Sequence, residues 1–358
     1  MRNDTTVATT VAGYVVGLDV GDRHSELHMI DAEGETVETA TIRTTKEAMD
    51  VRFGSLPPLR VVLEVGTHSP WLSRQLEGYG HEVVVADPHR LRLIAQSRQK
   101  NDRADAETLA RVGRLDLGLL QPVRHRSARA QADLAVLKGR AALVSVRTRL
   151  VNEVRGTVKA LGGRLPACSA EAFGRVATPH LPQELRVAMA PLLETIGMLN
   201  EKIRGYDRTL ARLAEERYPQ VKLLQQVPGV GPVTALAYVL TIEEPGRFGR
   251  SREVGAYLGL VPGQRQSGER SPQLGITKAG DRLVRSLLVQ CAHYVLGYRG
   301  PESDLRRWGL AKAGQGGGVQ KKKVVVAVAR KLAVLLHRLW VTGAVYEPVR
   351  KEESAMAA

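Results

Sequence analysis

The clearest chemical signal in this chain comes from four acidic residues that lie far apart: Asp19, Glu64, Asp102 and Asp105. Asp19 closes the apolar run YVVGLD and Glu64 closes RVVLE, so both carboxylates are predicted at the ends of buried strands. Asp102 and Asp105 are three residues apart at the start of a helical pattern and share one helix face. Two strand ends and one helix face can meet at a point. Four carboxylates there predict a divalent-metal site that cuts or rejoins nucleic acid.

Each acid also has an ordinary explanation. Asp102 resembles a helix N-cap, and Asp105 falls in the first turn, where the helix dipole favours an anion. Asp19 and Glu64 could simply mark strand ends. Their joint placement favours a metal site, because Mg²⁺ (or Mn²⁺) prefers oxygen ligands. Two such ions about 4 Å apart would stabilise both the attacking and the leaving oxygen of a phosphodiester displacement.

The elements around the acids predict a known order of strands and helices. The pattern gives strands at Tyr14–Asp19, Ser25–Asp31 and Thr36–Ile42, a helix from Lys46 capped by Thr45, a strand at Arg60–Val65, a helix at Ser69–Tyr79 and a strand at Glu82–Ala86. A three-stranded meander followed by helix, strand, helix and strand is the order of an α/β ribonuclease-H-like fold. That fold places its metal-binding acids on its first and fourth strands and on a later helix, as here.

Composition predicts a polyanionic partner. Lys and Arg number 52 and the formal net charge is +15, which favours contacts with the phosphates of nucleic acid. A basic composition inherited from a GC-rich genome is the alternative. The cysteines, Cys168 and Cys291, show no pairing or metal-ligand spacing. Without a signal peptide or a run approaching ~20 apolar residues, the chain is expected to be soluble and cytoplasmic, with no membrane partner.

The middle of the chain is predicted to be helical. Gln131–Ala160 forms one helical pattern, and a second has an apolar seam in heptad order over four heptads, typical of a coiled coil. The seam residues are Leu185, Met189, Leu192, Ile196, Leu199, Ile203, Tyr206, Leu210 and Leu213. The two helices could pair as a hairpin within the chain, or the seam could join two subunits.

The last third contains two candidate nucleic-acid contacts. Pro228–Pro232 reads as the turn of a helix-hairpin-helix-like element, in which Gly229 and Gly231 would let backbone N–H groups approach a phosphate. A plain helix–turn–helix packing unit is the alternative. Further on, a polar loop holds Ser267 and Ser271 among the cations Arg265, Arg270 and Lys278. A serine there could attack phosphorus, but most loop serines are only solvated, and spacing does not separate the two.

The motifs GLDV, VVLEVGTH, QKNDRADAETLA, VPGVGPVTALA and AYLGLVPGQRQSGE…GITKAGDRLVR together resemble a family of bacterial insertion-sequence transposases, over roughly 14–340. These recombinases have a four-acid (DEDD) RuvC-like N-terminal domain, a coiled coil and a C-terminal transposase domain with a serine. The resemblance implies that Asp19, Glu64, Asp102 and Asp105 bind the metal and that Ser267, rather than Ser271, forms a covalent phosphoserine link to DNA. It also implies a structured guide RNA that pairs with donor and target DNA, and a tetramer in which two subunits complete each site.

Two positions depart from the family's pattern. Glu64 is followed by Val65-Gly66-Thr67-His68, where many members have Glu-x-Thr-Gly, and Asp281 stands where Asn is common. Neither change touches the proposed catalytic set, but Asp281 adds a negative charge near the serine loop.

The sequence therefore predicts a DNA transposase that excises and inserts its own element. Its predicted parts are a RuvC-like domain at 14–120, a helical coiled-coil region at 121–217, a mainly α transposase domain at 218–345, and disordered termini at 1–13 and 346–358. The expected partners are element-end and target DNA, a guide RNA and further copies of the chain (a dimer or tetramer), near the bacterial nucleoid. Two alternatives are a Holliday-junction-type nuclease that uses water and a non-catalytic nucleic-acid-binding protein.

Overall fold

The protein is described by a computed structural model covering residues 13–87, 101–265, 274–314 and 316–349. The chain divides into two compact units, one ending at Ala128 and the other beginning at Arg129. Of the termini predicted to be disordered, 1–13 and 346–358, the structure describes residue 13 and residues 346–349, and the disorder of the others stays a prediction.

A five-stranded mixed sheet forms the centre of the first unit. Its strands are β1 Val15–Val20, β2 His24–Ile30, β3 Thr36–Arg43, β4 Arg60–Glu64 and β5 Glu82–Ala86. The strand order is β3-β2-β1-β4-β5. The first three strands are antiparallel, while β4 runs parallel to β1 and β5 parallel to β4. This sheet is consistent with the ribonuclease-H-like fold.

Helices cover both faces of the sheet. They are α1 Lys46–Phe53, α2 Ser69–Gly78, α3 Asp102–Leu115 and α4 Leu117–Leu120. The predicted cap is confirmed, since Ala48 N–H donates to Thr45 Oγ1 at the start of α1. One face of the sheet carries Val16, Leu18, Val61 and Leu63, which share a core with α1 and α2. The opposite face packs on α3 and carries the residues in between, among them Val15 and Val62. Strand alternation thus sorts β1 and β4 into two apolar layers.

Helix α3 lies unusually close to the sheet because glycines stand where the two surfaces meet. A methyl group built at Gly113 would lie 2.3 Å from Cγ2 of Val62, and Gly17 of β1 has a similar contact with α3. Side chains also attach the helix to the sheet. Arg60 donates to the carbonyl of Gly113, at 3.0 Å. The start of α3 is therefore held at a fixed distance from the end of β1.

The second unit is helical. Its helices are α5 Ala128–Ala160, α6 Phe173–Ala177, α7 Arg186–Arg217, α8 Gln220–Leu224, α9 Pro232–Ile242, α10 Glu253–Tyr257, α11 Arg282–Leu296, α12 Asp304–Gly314 and α13 Gly318–Thr342. Short 3₁₀ turns lie at Thr178–His180, Gln183–Leu185 and Pro245–Arg247. The longest helix of the C-terminal part is α13, which begins at Gly318. No helix in the described parts of the chain has the length and apolarity to cross a membrane.

The long helices α5 and α7 pair with each other in an antiparallel hairpin. Near one end of the hairpin, Arg217 of α7 donates to the Asp133 carboxylate of α5 at 3.1 and 3.2 Å. Further along, Arg147 of α5 donates to Asn200 Oδ1 of α7 at 2.7 Å. The predicted seam faces inward, with Met189, Ile196, Ile203, Leu210 and Leu213 buried. The intrachain alternative is therefore the one observed, and a supercoiled coiled coil stays a prediction.

The core of the second unit surrounds α9. Every residue of α9 from Thr234 to Ile242 is buried, and the hydroxyl of the fully buried Tyr238 donates to the carbonyl of Ala333 in α13 at 2.7 Å. Leu332 and Leu336 of α13 pack in the same core. Since its apolar side is buried here, α13 presents its polar side outward.

Candidate metal centre

Three of the four predicted acids meet in the structure. Asp19, Asp102 and Asp105 each offer a carboxylate oxygen, and these oxygens lie within 4.8 Å of one another. Asp19 and Asp105 are partly buried, while Asp102 is exposed. The group lies at the end of β1 and the beginning of α3, as the sequence predicted for a strand end and a helix face.

The capping of α3 leaves the Asp102 side chain for another role. Asn101 caps this helix, since its Oδ1 accepts from the N–H of Arg103 at 3.1 Å. The interpretation of Asp102 as the N-cap is therefore wrong. Asp102 is instead the first helical residue, and Asp105 follows it on the same face.

The donor set fits a small hard cation. All three ligands are carboxylates, and no softer nitrogen or sulfur ligand belongs to this group among the described residues. An octahedral Mg²⁺ at about 2.1 Å from its ligands holds their oxygens at most about 4.2 Å apart. The three carboxylate oxygens, within 4.8 Å of one another, lie close to that spacing. The site also opens outward at Asp102, which leaves access for a substrate phosphate.

Glu64 lies on the same face of the sheet but does not join the group of three. Leu63 pairs with Leu18 in the parallel β1–β4 ladder, so Glu64 follows at the level of Asp19 on the neighbouring strand. Alternation directs both side chains toward the α3 face, because Gly17 and Val62, two residues earlier, contact α3. The position of Glu64 is therefore compatible with a ligand, and its participation stays a prediction.

Glu26 is an acid near this site that the sequence did not reveal. It stands opposite Asp19 in the β1–β2 ladder, so the two side chains lie on the same face. Its carboxylate accepts from Thr41 Oγ1 at 2.8 Å and lies 3.6 Å from Nε of Arg103. Glu26 thus adds a negative charge beside the aspartates and attracts the start of α3 toward the sheet.

Polar contacts anchor the segment that follows Glu64. Trp71 Nε1–H donates to Nδ1 of His68 at 3.0 Å, and Nε2 of His68 lies 3.4 Å from the Asp22 carboxylate in the loop after β1. Because Nδ1 is an acceptor, the proton of the neutral ring is on Nε2 and points to Asp22. His68, which follows this departure from the family's pattern, thus connects the segments that follow the two strands bearing Asp19 and Glu64.

A second histidine, partly buried, lies close by. His125 Nε2 lies 2.8 Å from the hydroxyl of Ser69, which accepts from the N–H of Gly66 and donates to the Gly66 carbonyl. Burial lowers the pKa of His125, and the nearby cations Arg74 and Arg126 lower it further. The ring is therefore favoured as neutral and serves as a fixed polar contact behind the site.

In the second unit, the glycines of the predicted phosphate-binding turn differ from each other. Gly229 has φ +87°, and a methyl group there would lie 2.7 Å from Cδ1 of Tyr294, so packing alone requires glycine. Gly231 is the N-cap residue of α9 and has open space around it. The turn joins the short α8 to α9, and a helix-hairpin-helix-like element that binds nucleic acid stays a prediction.

The proposed nucleophile, Ser267, and its rival Ser271 lie outside the described residues, as does Arg270. The segments before and after these residues are hydrogen-bonded to each other. Gly263 N–H donates to the carbonyl of Gly275, and Thr277 N–H to that of Val261, both at 2.9 Å. Arg265 and Lys278, the two described cations of this region, are both exposed.

Asp281, the second departure from the family's pattern, is explained by the helix that follows it. Its Oδ1 accepts from the N–H groups of Leu283 and Val284, at 2.9 and 3.1 Å, and caps α11. Asn caps a helix equally well, so the change leaves this local structure intact.

Two family profiles match the chain, one in its N-terminal part and one in its C-terminal part. A family profile described as "Transposase IS116/IS110/IS902 family" matches residues 221–306. A second profile, described as "Transposase" and named for the DEDD transposase domain of IS110, matches residues 16–162.

Similar proteins match over nearly the full length. A putative transposase y4pF/y4sB of Sinorhizobium fredii is 30% identical over 342 residues, covering 92% of this chain and 85% of that protein. The transposase for insertion sequence element IS1111A of Coxiella burnetii is 29% identical, covering 91% of this chain and 89% of that protein. The transposase for IS1328 of Yersinia enterocolitica is 29% identical, covering 93% and 98%. The chain therefore belongs to the IS116/IS110/IS902 family of transposases, with a DEDD domain at its N-terminal end.

Proposed function

We propose that this transposase excises and inserts its insertion sequence by metal-dependent cleavage and rejoining of DNA strands. The observation that carries the proposal is the convergence of Asp19, Asp102 and Asp105 within 4.8 Å. Three carboxylates held together by a strand end and a helix start would repel one another without a cation. Such an arrangement suits a site that is completed by Mg²⁺ or Mn²⁺, with Glu64 as the fourth ligand from the neighbouring strand.

The metal would supply Lewis-acid stabilisation of the negative charge that develops on the phosphate oxygens. The chain's own residues do the rest. The three aspartates would hold this ion and so position the scissile phosphate, and the exposed Asp102 leaves the site open to DNA. Gly17 and Gly113 set the spacing between helix and sheet that keeps the ligand oxygens within reach of one ion.

The attacking group proposed is Ser267. Its support is the resemblance of the GQRQSGE motif to the serine-containing transposase domain of the family. In this step a bond forms between Ser267 Oγ and phosphorus, and the phosphodiester bond to one DNA strand breaks. The oxygen of the departing strand takes up a proton and leaves as a hydroxyl, which balances the proton lost by the serine. One phosphodiester replaces another, so that rejoining is the reverse of this step. Arg265, Arg270 and Lys278 would neutralise the charge of the transition state.

A structured guide RNA and a dimer or tetramer belong to the same proposal. The net charge of +15 favours polyanionic partners and is compatible with binding both DNA and RNA. With sequence recognition delegated to base pairing, the protein would need no recognition helix of its own. An oligomer would allow the acids of one subunit to act with the serine of another.

The proposal is tested by trapping the protein–DNA adduct. Full-length protein would be incubated with labelled element-end DNA, the guide RNA transcribed from the element's flanks, and Mn²⁺, then resolved on a denaturing gel. We expect Ser267→Ala to abolish the adduct and Ser271→Ala, the matched control, to retain it. Asp19→Asn should also abolish the adduct while leaving DNA binding within about twofold, since a ligand to the ion is lost and no DNA contact is removed.

The same gels distinguish the alternatives. DNA cleavage without an adduct in the unsubstituted protein would favour the nuclease that uses water. Tight, steeply salt-dependent binding with neither cleavage nor adduct would favour the non-catalytic protein. An adduct that persists in Ser267→Ala would exclude the serine assignment.

A further inference from the structure

A basic groove runs along the outer side of α13 in the second unit, and none of the residues that line it has been assigned a role above. We call it the α13 groove, and its volume is about 890 Å³. Its charged lining consists of six cations, Arg252, Lys312, Lys323, Arg330, Lys331 and Arg338, and two acids, Asp304 and Glu347. Trp308 and Tyr346 add aromatic surface. The groove thus combines an excess of positive charge with flat apolar rings.

The cations of α13 are spaced as a row along one helix face. Lys323, Arg330 and Arg338 are separated by seven and eight residues, close to two helical turns each. At 1.5 Å per residue the row is about 22 Å long, with steps of about 11 Å. A regular row of this length matches an extended polyanion better than a single small anion, which would occupy only one step.

Most of these cations have no acidic partner. Within the described residues, Arg252, Arg330 and Arg338 make no ion pair, and the same is true of Lys312 and Lys331. Three arginines that connect the helices of the α5–α7 hairpin differ, since Arg140, Arg147 and Arg217 each pair with a carboxylate. A cation that stabilises the fold commonly has such a partner. The groove therefore concentrates positive charge that an external anion can neutralise.

Trp308 brings an aromatic ring to the groove, with two lysine ammonium groups over it. Its indole ring is partly buried, and the Lys331 ammonium lies 4.3 Å from the ring centroid. Lys312 lies 5.7 Å from the same centroid. An aromatic ring flanked by two lysines is the combination that binds single strands, because the ring stacks on a base and the ammonium groups contact the phosphates beside it.

The chain after α13 forms one wall of the groove. Helix α13 ends at Thr342, and the next residue, Gly343, has a φ of +64° that redirects the chain. The chain then runs back, so that Asp304 N–H donates to the Pro348 carbonyl at 2.8 Å and Tyr346 N–H donates to Gln226 Oε1 at 3.0 Å. This wall narrows the groove to the size of small-ligand sites, about 300–1,000 Å³, which suits a few unpaired nucleotides rather than a duplex.

We propose that the α13 groove binds single-stranded DNA, namely the strand that becomes unpaired next to the site of cleavage. The proposal rests on the proposed function, because a transposase that opens and exchanges strands generates such a segment. Lys323, Arg330 and Arg338 contact successive stretches of backbone, Lys331 neutralises the phosphate beside Trp308, and the indole stacks on one base.

The test is direct binding of fluorescein-labelled (dT)₁₂ to the full-length protein in EDTA, measured by anisotropy over a series of salt concentrations. We expect Lys331→Gln/Arg338→Gln to weaken binding at least tenfold. The slope of log K against log[salt] should decrease by about 1.4, since each lost phosphate contact contributes about 0.7 for a single strand. The matched control, Arg208→Gln/Arg212→Gln, removes two exposed hairpin charges and should leave affinity and slope within experimental error.

A second measurement reports on the ring itself. Binding of (dT)₁₂ should quench tryptophan fluorescence, and Trp308→Phe, which keeps an aromatic ring in the same place, should abolish that part of the quenching. Unlabelled duplex should compete at least tenfold less well than (dT)₁₂.

Equal binding by the groove variant and the control would overturn the proposal, and so would quenching unchanged in Trp308→Phe. A preference of more than tenfold for (rU)₁₂ that depends on the same charges would assign the groove to RNA and overturn the DNA assignment. Because EDTA prevents cleavage, failure here leaves the adduct experiment unaffected, and the reverse also holds.

Discussion

Gly17 of β1 and Ala106 of α3 meet backbone against backbone: a methyl group added at Gly17 would lie 1.9 Å from the Ala106 carbonyl oxygen. The contact lies between the two parts of the candidate metal centre. Asp19 follows Gly17 by two residues on the same face of its strand, and Asp105 immediately precedes Ala106. Any displacement of α3 at this contact therefore changes the separation of the aspartates directly.

Replacing Gly17 with alanine should separate the aspartates. The methyl group cannot be accommodated against a backbone carbonyl, so α3 must move, and overpacking of this kind costs roughly 1–3 kcal/mol or more. We expect Mn²⁺ affinity, measured by calorimetry, to fall at least tenfold, with a lower midpoint in urea. Gly197→Ala is the matched control, since nothing lies within 4 Å of its added carbon and it lies in helix α7. Wild-type Mn²⁺ affinity in Gly17→Ala would show that this contact does not set the geometry of the site.

The negative charge of Glu26 should raise metal affinity without contributing much to stability. Arg103 is 76% exposed, so its pair with Glu26 contributes less than about 1 kcal/mol. Glu26→Gln keeps the acceptor for Thr41 but removes a charge beside Asp19. We expect a three- to tenfold loss of Mn²⁺ affinity by calorimetry, with the urea midpoint little changed.

The control for Glu26 is Glu38→Gln, which removes a glutamate from β3 whose partner is Arg52 of α1, at 2.7 Å. Its neighbour in the ladder, Met29, packs on the α1 face of the sheet, opposite to the acids. Equal losses of Mn²⁺ affinity in both variants would mean that total charge, rather than the position of Glu26, is responsible.

The sequence was sufficient to predict the acids at the strand ends, but not the residues that face them on neighbouring strands. Asp19 and Glu64 are visible because each follows an apolar run within one segment. Glu26 is visible only once the β1–β2 register is known, since its strand, HSELHMI, alternates weakly. The capping of α3 was ambiguous for a different reason, because Asn101 and Asp102 are adjacent and both are good N-cap residues.

The sequence also could not predict which distant helices pack against each other. A seam with steps of three and four states which face of a helix is buried but not what covers it, so the partner of α7 could not be predicted. The polar contacts of Arg147 with Asn200 and of Asp133 with Arg217 show that α5 is the partner of α7. In each contact the two residues are more than fifty positions apart in the sequence. The fold order of the first unit was predictable because it depends on local alternation and short connections.

The buried contact between Arg147 and Asn200 should behave as a coupled pair. Arg147 also contacts the Glu171 carboxylate at 3.0 Å, and its side chain is only 8% exposed. Removing one partner leaves a buried charge poorly satisfied, so we expect Asn200→Leu to lower the free energy of unfolding by about 2–4 kcal/mol. Arg147→Met/Asn200→Leu should recover at least half of that loss, since an apolar pair needs no partner.

Urea unfolding followed by circular dichroism measures this coupling. Arg149→Met, an exposed arginine on the same helix, is the control and should change stability by less than about 0.5 kcal/mol. A double variant as unstable as Asn200→Leu alone would show that the two side chains act independently.

Stability should depend on pH through His125. Its pKa is lowered in the folded protein, by burial first and then by Arg74 and Arg126, so the unfolded chain binds the proton more readily. The contribution of the neutral ring is therefore complete above the unfolded pKa of about 6.5 and is lost as the pH falls toward the folded value.

The variant His125→Gln tests this, because glutamine can still contact Ser69 but does not titrate. We expect wild type to be the more stable at pH 7.5 and its advantage to shrink by pH 5, measured as the difference in urea midpoint. His28, whose pKa burial also lowers, is present in both proteins, so its effect cancels in that difference. An advantage that stays constant or grows as the pH falls would show that His125 does not remain neutral in the fold.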